Sequence, residues 1–165
     1  MTPFPLADVR RFFRQLTIPS RDEGPIRLTA LYGTQEYLLE EIARGWEDGI
    51  HDFVILKGGR QIGGTTIADG LDLYWPQTHP GLVGMMVADD DDNMRYRRDV
   101  ITQMLAALAM EYRWPVRQSN PGHLAWEAPN RSRLIFAAAG KRTGSNLGRS
   151  KGLNYLHGDE VGSWV

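Results

Sequence analysis

The sequence has no cysteine, which excludes disulfide bridges and thiolate metal sites and fits a cytoplasmic protein. No apolar run approaches the ~20 residues of a membrane span. The opening MTPFPLADVRRFF lacks the basic-then-apolar order of a secretory signal. Neither membrane insertion nor secretion is therefore expected. An excess of one charge is missing too: 19 basic against 20 acidic side chains leave a net charge of −1, unlike a uniformly basic nucleic-acid binder. Internal repeats and low-complexity tracts are also lacking. What is present is a 165-residue chain, 42% apolar and 24% charged, the size and composition of one globular domain with a sizeable core.

Hydrophobic spacing divides this chain into alternating helices and strands. LADVRRFFRQL (6–16) and TQEYLLEEIA (34–43) have helical spacing, the second with Thr34 as N-cap. The polar TIPSRDEGP that follows the first reads as a linker. HDFVILKGG is a short apolar run ending in glycines, the pattern of a buried strand. TTIADGLDLYW resumes helical spacing and is expected to stop before Pro76. GLVGMMVA predicts a second strand, and DDDDNMRYRRDVITQMLAALAMEY a helix of about six turns. The aspartates opening that helix are expected to cap it, where the helix dipole favours negative charge, rather than to bind metal. HLAWEAPNRSRLIFAAAG predicts two strands around PNRS, and LNYLHGDE a last strand. Strands alternating with helices predict an α/β fold with a mainly parallel sheet covered on both faces. One local bias is hidden by the net charge. Arg131, Arg133, Lys141, Arg142, Arg149 and Lys151 follow one another with no acid among them, a stretch suited either to phosphate contact or to plain solvation.

Residues 55–70, ILKGGRQIGGTTIADG, resemble a phosphate-binding loop with its lysine missing. In the pattern G-x-x-x-x-G-K-[ST], Gly58, Gly63 and Thr65 fit, but Gly64 stands in the lysine position. Such a loop needs glycines so that backbone N–H groups converge on the anion, and a helix whose positive end faces the phosphates. It also needs a side-chain cation. Strand, loop and helix are expected here in that order, and Thr65 falls where a hydroxyl ligand of Mg2+ belongs. Lys57, at the end of the expected strand, is the favoured substitute for the missing cation. Arg60, with a planar fork suited to phosphate oxygens, is a supporting or sensing group. The bland reading is a strand-to-helix turn whose glycines only permit tight packing. A nucleotide hydrolase also needs carboxylates at the end of a neighbouring strand, one for Mg2+ and one for the attacking water. Asp159 and Glu160, in NYLHGDE, answer that description.

Together GGRQIGGTT and LHGDEVGSW resemble the N-terminal ATPase domain of tailed-bacteriophage terminase large subunits, the motors that pump DNA into procapsids. The likeness covers roughly residues 28–165, leaving 1–27 as an N-terminal helix and linker. It implies a P-loop NTPase fold of the RecA-like type, with ATP and Mg2+ as cofactors. By the same resemblance Gln35 would read adenine, and Lys57, Gly58, Gly59, Arg60, Gln61, Ile62, Gly63, Gly64, Thr65 and Thr66 would cradle the nucleotide. Thr65 and Asp159 would hold the metal, and Glu160 would be the catalytic carboxylate. Arg149 resembles the finger supplied to a neighbouring subunit of a ring. The implied partners are double-stranded DNA, the portal protein, the small terminase subunit and further copies of the chain, in the host cytoplasm and without a membrane. The sequence departs from the family at Gly64 and in stopping at Val165, before the coupling motif, further strands and nuclease domain that the resemblance leads one to expect. It therefore looks like a fragment or truncated product. Two other readings stay open: a helicase-like translocase of another family, and a nucleotide-binding assembly module that does not hydrolyse.

Overall fold

A computed structural model describes residues 3–20, 24–54, 63–139 and 152–163. The chain begins with helix α1 (Leu6–Phe13), a hairpin of β1 (Thr17–Ser20) and β2 (Gly24–Arg27), and helix α2 (Gly33–Glu47). Then come α3 (Gly64–Thr78), β3 (Val83–Ala88) and α4 (Asp91–Ala107). Strands β4 (Val116–Asn120), β5 (His123–Trp126), β6 (Arg133–Ala138) and β7 (Tyr155–Gly158) complete the order. The last five strands of this series, β3 to β7, form one sheet in the order β4-β5-β6-β3-β7.

That sheet is mixed rather than mainly parallel. β3 runs parallel to both β6 and β7, whereas β4-β5 and β5-β6 are antiparallel pairs. The reason is connection length. Pro121 and Gly122 alone join β4 to β5, a reversal that only an antiparallel pair allows, while parallel neighbours need long crossovers. The coverage also differs from expectation among the described residues. Buried residues of all four helices share one large cluster with Met86, Ala88, Leu134 and Phe136, so the helices gather on that face. Met85, Val87 and Ile135, pointing the other way by the strand's alternation, form a smaller cluster with Leu153 and Ala139 packed against it.

Four local readings are corrected. The stretch read as a linker is the β1-β2 hairpin, in which Thr17 and Ile18 pair with Arg27 and Ile26; β-branched side chains there suit a pleated surface. Helix α3 runs through Pro76 to Thr78. Proline sits late enough that only the last turn is affected, and its carbonyl accepts from the buried Asn130 amide at 2.8 Å. The apolar run before the loop is not a strand over residues 51–54, where Val54 is 87% exposed. Residues 51–54 are all exposed, and a run that buries so little apolar surface is not held against the sheet. Residues 55–62 lie outside the described residues. Thr34 is inside α2, which is N-capped by Tyr32.

The expected capping of α4 holds. Asp90 caps α4, its carboxylate accepting from the Asn93 N–H at 2.7 Å, and Asp89 accepts from the Asn93 amide. Gly70 in mid-α3 has a packing reason, since a Cβ there would run into the ring of Phe13, which α1 buries completely. No helix of the described residues is long and apolar enough to cross a membrane.

Candidate functional site

Two periodicities build the site. On α3, Thr65, Asp69 and Asp72 are spaced four and three residues apart and share one helical face. On β7 and its continuation, Tyr155, His157 and Asp159 alternate and share one strand face. The Asp159 N–H donates to the Val87 carbonyl at 2.8 Å, which holds it at the end of the β3-β7 ladder.

Arg97 of α4 joins the two stripes. Its guanidinium pairs with Asp69, donates to the Thr65 carbonyl at 3.4 Å, and lies with Nε 3.9 Å from the Asp159 carboxylate. Alongside, His157 Nδ1 lies 2.8 Å from Asp72 Oδ2. Asp69 and Asp72 are 2% and 0% exposed. Water is largely shut out, so charge–charge effects are strong. Burial pushes the Asp69 carboxyl up to about 7, although Arg97 works in the opposite direction. For His157, burial works to lower the imidazolium's pKa, but the Asp72 charge and hydrogen bond outweigh it and the net shift is upward. Asp69, Asp72 and His157 each offer one ligand atom within 4.8 Å of the others, so this trio could hold a metal ion. The pairs Asp69–Arg97 and Asp72–His157 already balance much of the charge, and the cluster works as it stands as a buried ionic tie between α3, α4 and β7.

The residues read from the sequence fall as follows. Gly63 has φ 76, the left-handed conformation that glycine adopts without cost, and N-caps α3. Gly64, Thr65 and Thr66 form the first turn. Of the four α-helices described, α3 alone has no acid in its first turn, and no side chain caps it. Among the described residues its positive end therefore has no acidic side chain of its own first turn against it. Gln35 is 2% exposed. Its carbonyl oxygen accepts from the Tyr32 N–H at 2.9 Å, and its amide donates to the Gly63 carbonyl at 3.4 Å. A Cβ at Gly63 would collide with that amide. Gln35 therefore abuts the start of α3. Asp159 is partly buried, and Glu160 is exposed with φ 53, a left-handed backbone uncommon for glutamate and of the kind concentrated at functional sites. Lys57, Gly58, Gly59, Arg60, Gln61, Ile62 and Arg149 lie outside the described residues.

Sequence reasoning missed Asp69, Asp72, Arg97 and His157. The available signal was two aspartates at helical spacing from Thr65 in an otherwise apolar helix, facing a strand that alternates Tyr, His and Asp. No protein-family model and no curated protein sequence matches the chain.

Proposed function

We propose that the chain is a P-loop ATPase module, the motor part of a tailed-phage terminase large subunit that packages double-stranded DNA in the host cytoplasm. One observation carries the reading. The first turn of α3 and the carboxylate end of β7, far apart in sequence, meet on the Arg97 guanidinium. A phosphate-binding helix end beside an acidic strand end is the arrangement that phosphoryl transfer to water uses.

In this reading the triphosphate of ATP lies at Gly63–Thr66, with the buried Gln35 bracing the loop end at Gly63. Thr65 and Asp159 offer hard oxygen donors suited to Mg2+, which supplies charge neutralisation on the phosphates. Glu160 orients and deprotonates the attacking water. Lys57 and Arg60 stabilise charge developing on the phosphates, and Arg149 does so for a neighbouring copy in a ring, with portal and small subunit completing the machine. A finger supplied in trans adds ~10³ to 10⁵ in rate, so an isolated chain hydrolyses slowly.

Turnover of ATP by the chain, with and without Glu160→Ala, tests this. Glu160→Ala should lower hydrolysis at least a hundredfold while leaving nucleotide affinity within a few-fold. Equal turnover by the two proteins would refute the assignment. A second reading, a nucleotide-binding module without hydrolysis, is favoured by Gly64 in the lysine position and by Arg97 lying against Asp159. Calorimetry separates the two: tight ATP binding with no turnover, even with DNA present, selects the second.

A further inference from the structure

A depression of about 590 Å3 opens beside the β4-β5-β6 part of the sheet, lined by Arg117, Arg131, Arg133, Glu127, Ala125 and Trp126 among others. Its construction follows from the pairing. Ala125 lies opposite Arg133, and both point away from Leu124 and Leu134, which are buried in the helix-side core. A bulge between Val116 and Gln118 inserts Arg117 as an extra residue opposite Ala125 and Trp126; bulges of this kind re-aim a side chain. The alanine leaves room between the two arginines. Arg131 comes from the turn ahead of β6, where its N–H donates to the Glu127 carbonyl at 3.0 Å and its φ is 57.

Three arginines thus line one hollow. Among the described residues none of the three side chains has an ion-pair or hydrogen-bond partner. The Trp126 side chain is not part of the hollow: like Leu124 two residues earlier it is buried in the helix-side core, so at that position only the backbone of β5 runs behind the arginines. With Glu127 counted, three positive charges and one negative leave two positive, the complement of a phosphate dianion. Guanidinium forks match phosphate oxygens in a way that ammonium groups do not. The site is separate from the candidate ATP site. Arg133 is level with Val83 at the start of β3, whereas Asp159 bonds Val87 near its end, roughly 13 Å along the strand.

We infer that Arg117, Arg131 and Arg133 form a second anion site that takes a phosphoryl group, supplied by a free phosphate compound or by a nucleic-acid backbone. This inference is independent of the ATPase reading. Amide-resolved NMR of the whole chain, titrated with inorganic phosphate, tests it. Resonances of Arg117, Ala125, Glu127, Arg131 and Arg133 should shift together. The double variant Arg117→Gln/Arg133→Gln should weaken that response at least tenfold, and Glu127→Gln should strengthen it several-fold. Resonances of Gly64–Thr66 in the same spectra report any binding at the α3 end. A second titration, with a 20-base-pair duplex at several salt concentrations, distinguishes the sources. If the backbone is the ligand, the duplex shifts the same resonances, phosphate competes with it, and the salt slope falls by ~1 for each arginine removed. If a free phosphate compound is the ligand, phosphate acts and the duplex does not. The inference is overturned if neither probe moves these resonances, or if both act equally on the double variant while its spectrum remains that of a folded protein.

Discussion

Asp69 holds its proton far more tightly in the folded chain than an ordinary aspartate does, near 7 against 3.8, because burial outweighs the attraction of Arg97. Between those two values the unfolded chain has released the proton and the folded chain still binds it. Folding stability should therefore fall as pH rises from about 4 to about 7 and level off above. A shift of this size corresponds to a few kcal/mol at most, since each unit is about 1.4 kcal/mol. Urea denaturation of wild type and Asp69→Asn across that range should give a difference curve with that slope; parallel curves would contradict it. Arg97→Met is the complementary experiment. It leaves Asp69 buried without a counter-charge, which costs about 3 to 5 kcal/mol when the acid is ionised. Protonation relieves that cost, so the loss should be larger at pH 8 than at pH 5.5. At this scale the sequence revealed groups whose chemistry is local. Gly63, Thr65, Asp159 and Glu160 carry a spacing or a strand-end position that can be read in isolation. Asp69, Asp72, Arg97 and His157 do not, because only the packing of α3 against α4 and β7 turns ordinary polar residues into one buried network.

Elements with a strong internal period were legible: α2, β3, β6 and β7 lie where apolar spacing places them, and α4 does so up to Ala107, beyond which the expected last turn is a separate 3-10 turn at Met110–Tyr112. Those that depend on neighbours were not. β4, VRQSN, is nearly all exposed and exists because β5 offers it a ladder. β1 and β2 look like a linker because each contains a proline, but they pair with one another. The contact between α1 and α3 yields a prediction of its own. Gly70→Ala should raise the intrinsic helix propensity of α3 by about 1 kcal/mol. Its methyl group would nonetheless meet the fully buried Phe13 ring. Overpacking of this kind costs about 1 to 3 kcal/mol, so the variant should be less stable than wild type. Combining it with Phe13→Leu should recover part of the loss. A more stable Gly70→Ala protein, measured by thermal or urea unfolding, would show that the ring can move aside.

For the whole molecule, the sheet sets what can meet. Parallel pairing of β3 with β7 carries Asp159 to the end of the sheet where α3 begins, while the antiparallel strands place three arginines at the opposite end. The α/β class was readable from the alternation of elements. The mixed sheet and the gathering of helices on one face were not, since both depend on which strands pair over long sequence distances. β7 has β3 as its neighbour and no other among the described residues, and Leu156 is 61% exposed on it. We propose that the α3 N-terminus and the Asp159–Glu160 end of β7 make one nucleotide site, with Lys57 supplying the cation that Gly64 cannot. A crystal structure with Mg2+ and a non-hydrolysable ATP analogue tests it most directly. The triphosphate should lie at Gly63–Thr66 with the Lys57 ammonium on its oxygens, and Thr65 and Asp159 should be the residues that hold Mg2+. A pocket without polyphosphate, or a bound analogue with Lys57 turned away, would contradict it.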